Sequence, residues 1–172
     1  MELWASILMV VVSFAAMLLS GFTYERSVRR GRKQATLDAF NLLQQQAFDP
    51  LNGYTPGEIE TICRTVSEIW WGERKSNEAD LARFLKLSGY AARIEHFALG
   101  VNTGIYDVRI AERAGTTYWS LLYDKKLRPL IEVKNRKAGG REYYIEFYEM
   151  MKKIKRLEKK NEAFRLKNRP PL

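Results

Sequence analysis

The sequence predicts an all-α protein: one N-terminal transmembrane helix continuing into a stalk, then a compact cytoplasmic helical domain with a long basic C-terminal helix. Three observations predict it. Residues 3–22 form an uncharged apolar run, apolar residues elsewhere recur at spacings of three and four, and no stretch alternates as a half-buried strand would. The expected units are 1–33 as anchor and basic stop segment, 34–140 as the helical domain, and 141–172 as the C-terminal helix and tail.

The run LWASILMVVVSFAAMLLSGF from Leu3 to Phe22 is 20 residues long. At about 1.5 Å per residue such a helix is ~30 Å long, the thickness of a hydrocarbon core. A helix also satisfies its own backbone polar groups, which lipid requires. Trp4 and Tyr24 bracket the run where interfacial aromatics sit. A cleaved signal peptide would start with a basic region and a shorter apolar stretch, whereas the charge before this run is Glu2. Arg26, Arg29, Arg30, Arg32 and Lys33 follow the run, against Glu25. The positive-inside rule then puts the N-terminus outside and the rest in the cytoplasm, a single-pass protein of the inner membrane. The same cations are candidate contacts to anionic headgroups.

Composition narrows the function classes. The 172 residues carry 29 Lys and Arg against 20 Asp and Glu, a net charge of +9 that calls for an anionic partner or location. One cysteine excludes an internal disulfide framework, and one histidine excludes multi-histidine zinc sites. The lone Cys63 suits a reducing compartment.

Residues 34–48 place Leu37, Phe40, Leu43 and Ala47 on one helical face, continuing the membrane helix as a stalk that breaks at DPLNGYTPG. Thr55-Pro56-Gly57-Glu58 starts the next helix, with a capping box and proline in the first turn. It carries Ile59, Ile62, Cys63, Val66, Ile69 and Trp70 on one face and ends near Gly72. Ser76 or Asn77 caps a helix over about 79–101, whose wide apolar stripe marks it as central. A short helix spans Val108–Ala114 with Asp107 as candidate cap, and Gly115 stops it. Thr116 caps a helix that Pro129 interrupts near Leu127. Lys137-Ala138-Gly139-Gly140 is a break, and the last helix runs from about Glu142 to Leu166, before Pro170-Pro171.

Glu95, the run from Ala98 to Asp107 with Gly100, Val101, Gly104 and Tyr106, Trp119, and Arg128-Pro129-Leu130-Ile131 together resemble a family of uncharacterised bacterial and phage-borne proteins, usually membrane-anchored. The resemblance covers about 81–151. It implies an N-terminal span with a helical cytoplasmic domain, carries no activity, and points to phage–host conflict or envelope exclusion as settings. His96 departs from it, standing where an apolar or acidic residue is expected.

No catalytic constellation, cofactor motif or metal set is legible, so the chain is not expected to be an enzyme and no cofactor is expected. Glu95 and His96 are neighbours in sequence and face different ways on a helix. Cys63 sits on an apolar face and reads as buried and inert. Gly100–Gly104 lacks the Lys-Ser/Thr of a phosphate loop and reads as a helix end and tight turn. Asp107, Glu112, Asp124 and Glu132 are spread over several elements. Of Trp70 and Trp71, one is expected in the core and the other on an interaction surface.

In the C-terminal helix Phe147, Met150, Ile154, Leu157, Asn161 and Phe164 occupy heptad positions, with Asn161 where a buried Asn fixes register in a dimer. Tyr144, Ile145, Tyr148 and Met151 broaden that face, so packing on its own domain competes with self-association. From Lys152 to Arg169 there are nine Lys or Arg and two Glu. That run suits anionic lipid, nucleic acid or plain solvation. The reading is a membrane-tethered cytoplasmic interaction or scaffold protein. Its partners would be the bilayer, an unidentified cytoplasmic protein and a second copy of itself. The alternative is a membrane-tethered nucleic-acid-binding protein using the basic C-terminal helix.

Overall fold

A computed structural model describes the backbone of residues 2–113, 116–137 and 143–167, and the side chains of 12–113, 117–137 and 143–164. These residues form eight α-helices and two π-helical turns joined by short turns and loops, and contain no strand. The helices are α1 (Glu2–Leu43), α2 (Asp49–Asn52), α3 (Pro56–Trp70), α4 (Glu78–Asn102), α5 (Val108–Arg113), α6 (Thr116–Leu122), α7 (Arg128–Lys137) and α8 (Ile145–Lys167). The π-helical turns span Gln44–Phe48 and Tyr123–Leu127.

Local chemistry starts the helices where the sequence marks them. Thr55 accepts from the Glu58 N–H, and the Glu58 carboxylate accepts from the Thr55 N–H, completing the capping box of α3. The bonds from Thr55 hold the Glu58 carboxyl below its usual range. Asn77 caps α4 by accepting from the Ala79 N–H. The stop expected at Gly115, the Thr116 side chain, the Ala138–Gly140 break and Pro170-Pro171 lie outside the described residues, and the last helix begins at Ile145 rather than near Glu142, because Tyr144 before it takes φ +64°.

Both π-helical turns precede a proline. Pro50 has no N–H to give the Gln46 carbonyl, and its ring crowds that carbonyl. Widening the turn over 44–48 makes room, and the Arg93 guanidinium donates to the Gln46 oxygen at 2.9 Å. Pro129 stands in the same relation to Tyr123–Leu127. The interruption expected near Leu127 is therefore a widened turn after which the helix resumes as α7.

Helix α4 is central, packing on α8, α3, α1, α5 and the first π-helical turn, while α3 also packs on α7. Trp119 is fully buried with Phe40, Phe48, Phe97, Tyr118 and Phe147 around it, ring centroids 5.6–6.2 Å away. Its indole N–H donates to the Ala111 carbonyl at 2.9 Å, so the one polar atom of the ring is satisfied.

The segment read as a stalk is a wall of this core. Thr36, Leu43, Ala47 and Phe48 are buried and Phe40 packs against the cluster, while Leu37 stays exposed. The second half of α1 therefore belongs to the domain. The first half does not: Val12, Phe14, Met17, Leu18, Leu19, Phe22 and Tyr24 are each more than half exposed. Among the described residues no helix is long and apolar enough to cross a membrane, and the side chains of residues 3–11 of the apolar run lie outside that set. The transmembrane part of the expected architecture thus has no support from the described residues.

Candidate functional site

Where α1 meets the domain, a basic cleft of about 500 Å³ opens between α1, the α4–α5 connection and α8. Its cationic lining residues are Arg29, Arg32, Lys33, Arg109 and Lys153, and its acidic one is Asp107.

The floor is built by the end of α4. Gly104 adopts φ +78°, a left-handed turn that L side chains disfavour, and closes α4 with its N–H on the Val101 carbonyl. The chain then folds back, and the Tyr106 N–H donates to the Gly100 carbonyl at 2.9 Å. This return lays the Tyr106 ring on Gly100 and stacks it on Phe97, centroids 5.3 Å apart. A Cβ at position 100 would lie 2.4 Å from two atoms of that ring. Asp107 starts α5 by accepting from the Arg109 N–H at 3.0 Å. The glycine run read as a helix end and tight turn is that.

Two contacts fix the walls. The fully buried Thr36 hydroxyl donates to the Arg32 carbonyl at 2.7 Å and accepts the Asp107 N–H at 2.8 Å, locking the basic turn of α1 to the loop. On the other side the Lys153 ammonium donates to the Asn102 carbonyl at 3.0 Å, a cation at the C-terminal end of a helix. Arg29 is paired with Glu25. Among the described residues no carboxylate lies within ion-pair distance of Arg32, Lys33, Arg109 or Lys153. Arg26 and Arg30 are exposed outside this lining.

Glu95 holds α8 from a neighbouring helix. Its carboxylate accepts the Glu146 and Phe147 N–H groups at 2.8 and 2.9 Å, capping α8 from α4. Tyr144, at φ +64°, stands just before α8, so the cap comes from elsewhere in the chain. Burial outweighs these two bonds and pushes the Glu95 carboxyl above its usual range. The Tyr144 hydroxyl accepts from Lys134 at 3.0 Å, and burial pushes that phenol up to about 12.

The remaining candidates are dispersed. His96 is exposed on α4. Cys63 is buried, and burial pushes its thiol up to about 12. Trp70 is half-buried, edge-on to Phe84 and under the Lys137 ammonium, whereas Trp71 is exposed. Phe147, Met150 and Ile154 are buried in the chain's own core, and Asn161 donates to Glu112 at 3.0 Å. A continuous intermolecular seam along α8 is thus interrupted over its first half. Leu157 is half-buried and Phe164 exposed. Among the described residues no three His, Cys, Asp or Glu side chains gather to hold a metal.

The sequence singled out Arg29, Arg32 and Lys33 but not their union with Arg109 and Lys153. Lys153 was legible merely as part of the basic tail, and Arg109 carried no local signal.

A family model described as Domain of unknown function (DUF4760) matches residues 10–154. The chain belongs to this family. The match begins inside the apolar run and extends well beyond the 81–151 stretch of the resemblance, so it includes most of α1 and every wall of the basic cleft. No curated protein and no solved structure matches the chain.

Proposed function

We propose that residues 3–22 hold this chain in the inner membrane as a single-pass anchor, N-terminus outside, and that the helical domain works at the cytoplasmic face as an interaction or scaffold module, not as an enzyme. One observation carries this reading: on a single unbroken helix, large apolar side chains from Val12 to Phe22 stand exposed, five cations follow at 26–33, and the helix then enters the core at Thr36. A soluble monomer rarely exposes a contiguous apolar patch of that extent, and lipid covers it at no cost. The basic turn supplies the topological signal. Because α1 is both anchor and core element, the domain would stand at a fixed height and tilt above the bilayer rather than on a flexible tether. Trp71 offers an exposed aromatic contact for an unidentified cytoplasmic partner.

A fluorescent reporter that matures only in the cytoplasm, fused after Leu172, tests the orientation. Fluorescence is expected. Activity of a periplasm-only reporter at that position would refute it.

A further inference from the structure

We propose that the cleft between α1, the α4–α5 loop and α8 binds a phosphate-bearing anion, the source favoured by its position being an anionic phospholipid headgroup. The lipid source rests on the membrane reading above; the anion site does not. Arg29, Arg32, Lys33, Arg109 and Lys153 come from three parts of the sequence to one concavity. Four of them lack a carboxylate partner among the described residues, and the Asp107 carboxylate accepts the Arg109 N–H at the start of α5. Five cations lining one concavity favour an anion there. A solvated basic face projects outward into water, as Lys155, Arg156, Lys159 and Lys160 do on the exposed side of α8.

The walls are built rather than accidental. Thr36 bonds both the Arg32 carbonyl and the Asp107 N–H, and the Lys153 ammonium is held at the Asn102 carbonyl, so the backbones that carry the cations on three elements keep a fixed relation. Guanidinium forks with an ammonium suit phosphate oxygens, which take paired and point donors together. The volume, about 500 Å³, falls among small-molecule sites. From Phe22 to Arg29 the helix rises about 10 Å, and to Lys33 about 16 Å. With the apolar run in hydrocarbon, the headgroup layer is about 5–8 Å deep on each side, so the cleft lies just beyond it and its long Arg and Lys side chains reach back toward the phosphates.

The test uses the full chain in nonionic detergent, titrated with dioctanoyl phosphatidylglycerol, dioctanoyl phosphatidylcholine and inorganic phosphate, with affinity read by calorimetry. Arg109→Gln and Lys153→Gln each remove one cleft cation. Arg30→Gln removes the same charge from the same basic turn outside the lining. Circular dichroism checks that each variant is folded, and Arg109, which is exposed, keeps the test open if Lys153→Gln perturbs the end of α4. Saturable binding of phosphatidylglycerol is expected, weakened about tenfold or more in both cleft variants and less than about twofold in Arg30→Gln. Phosphatidylcholine should bind at least about tenfold more weakly. Inorganic phosphate binding with the same variant pattern, and no gain for the lipid, would support the anion site with a soluble source. Equal losses in all three variants would mean diffuse attraction and overturn the proposal, as would equal affinity for the two lipids or binding of no anion. A chain found in the soluble fraction that still binds phosphate with this pattern would sink the membrane reading and leave the anion site standing.

Discussion

Two glycines of α4 should respond to alanine with opposite signs. Gly89 is exposed with nothing within 4 Å of where a Cβ would go, so Gly89→Ala gains helix propensity alone, about 1 kcal/mol. Gly100→Ala gains the same propensity but sets its methyl 2.4 Å from Tyr106 Cδ2 and Cε2. The ring cannot simply retreat, because it is stacked on Phe97 and its own N–H is bonded to the Gly100 carbonyl. Overpacking of that kind costs roughly 1–3 kcal/mol, and a contact this short belongs at the upper end. The net is a loss of about 1–2 kcal/mol, or about 2–8 °C in the melting midpoint for a chain of this size. Thermal melts of the two variants in nonionic detergent, followed by circular dichroism, read the difference. Tyr106→Ala removes the obstruction, so adding Gly100→Ala in that background should be neutral or stabilising. A Gly100→Ala variant as stable as Gly89→Ala, or a cost unchanged by Tyr106→Ala, would refute the close approach that shapes the cleft floor.

The core and α8 carry further expectations. Cys63 should resist a thiol reagent at neutral pH in the folded chain and react once denatured, since its thiol is buried and pushed up to about 12; fast labelling of the native chain would contradict this. Glu95 has a folded pKa raised above its unfolded value, so its contribution is fullest below the ordinary carboxylate range and declines as pH rises through the folded pKa. Denaturant melts should therefore show Glu95→Gln costing more near pH 4 than near pH 7, and a cost that grows with pH would contradict the sign. Ile154→Asp should unfold the domain by burying an unpaired charge, several kcal/mol, because Ile154 is fully buried. Leu157→Asp should leave the sedimenting mass unchanged, because Phe147, Met150 and Ile154 already serve the chain's own core; a fall from dimer to monomer would restore the seam.

Local chemistry made much of the fold legible. The Thr55–Glu58 capping box, Asn77 and the apolar stripes of α3 and α4 are readable because their causes lie within a few residues. Pro129 announced a disturbance, but whether a helix breaks, kinks or widens depends on what packs on it. Phe40 and Leu43 were on the correct face, yet nothing local told a stalk from a core wall. The cleft depends on contacts distant in sequence: Thr36 meets Asp107 across 71 residues and Lys153 meets Asn102 across 51. Periodicity and capping carry no information at that range. Asn161 shows the same limit, fitting a register-setting position by heptad count while bonding Glu112 in its own chain.

Whether residues 3–22 anchor the chain is decided by alkaline carbonate extraction of membranes from cells expressing it at full length. An anchored chain stays in the membrane pellet. Val10→Lys with Phe14→Lys, two charges costing about 2.5–3.5 kcal/mol each in mid-membrane, releases it to the supernatant. Release of the unaltered chain by carbonate would contradict the anchor.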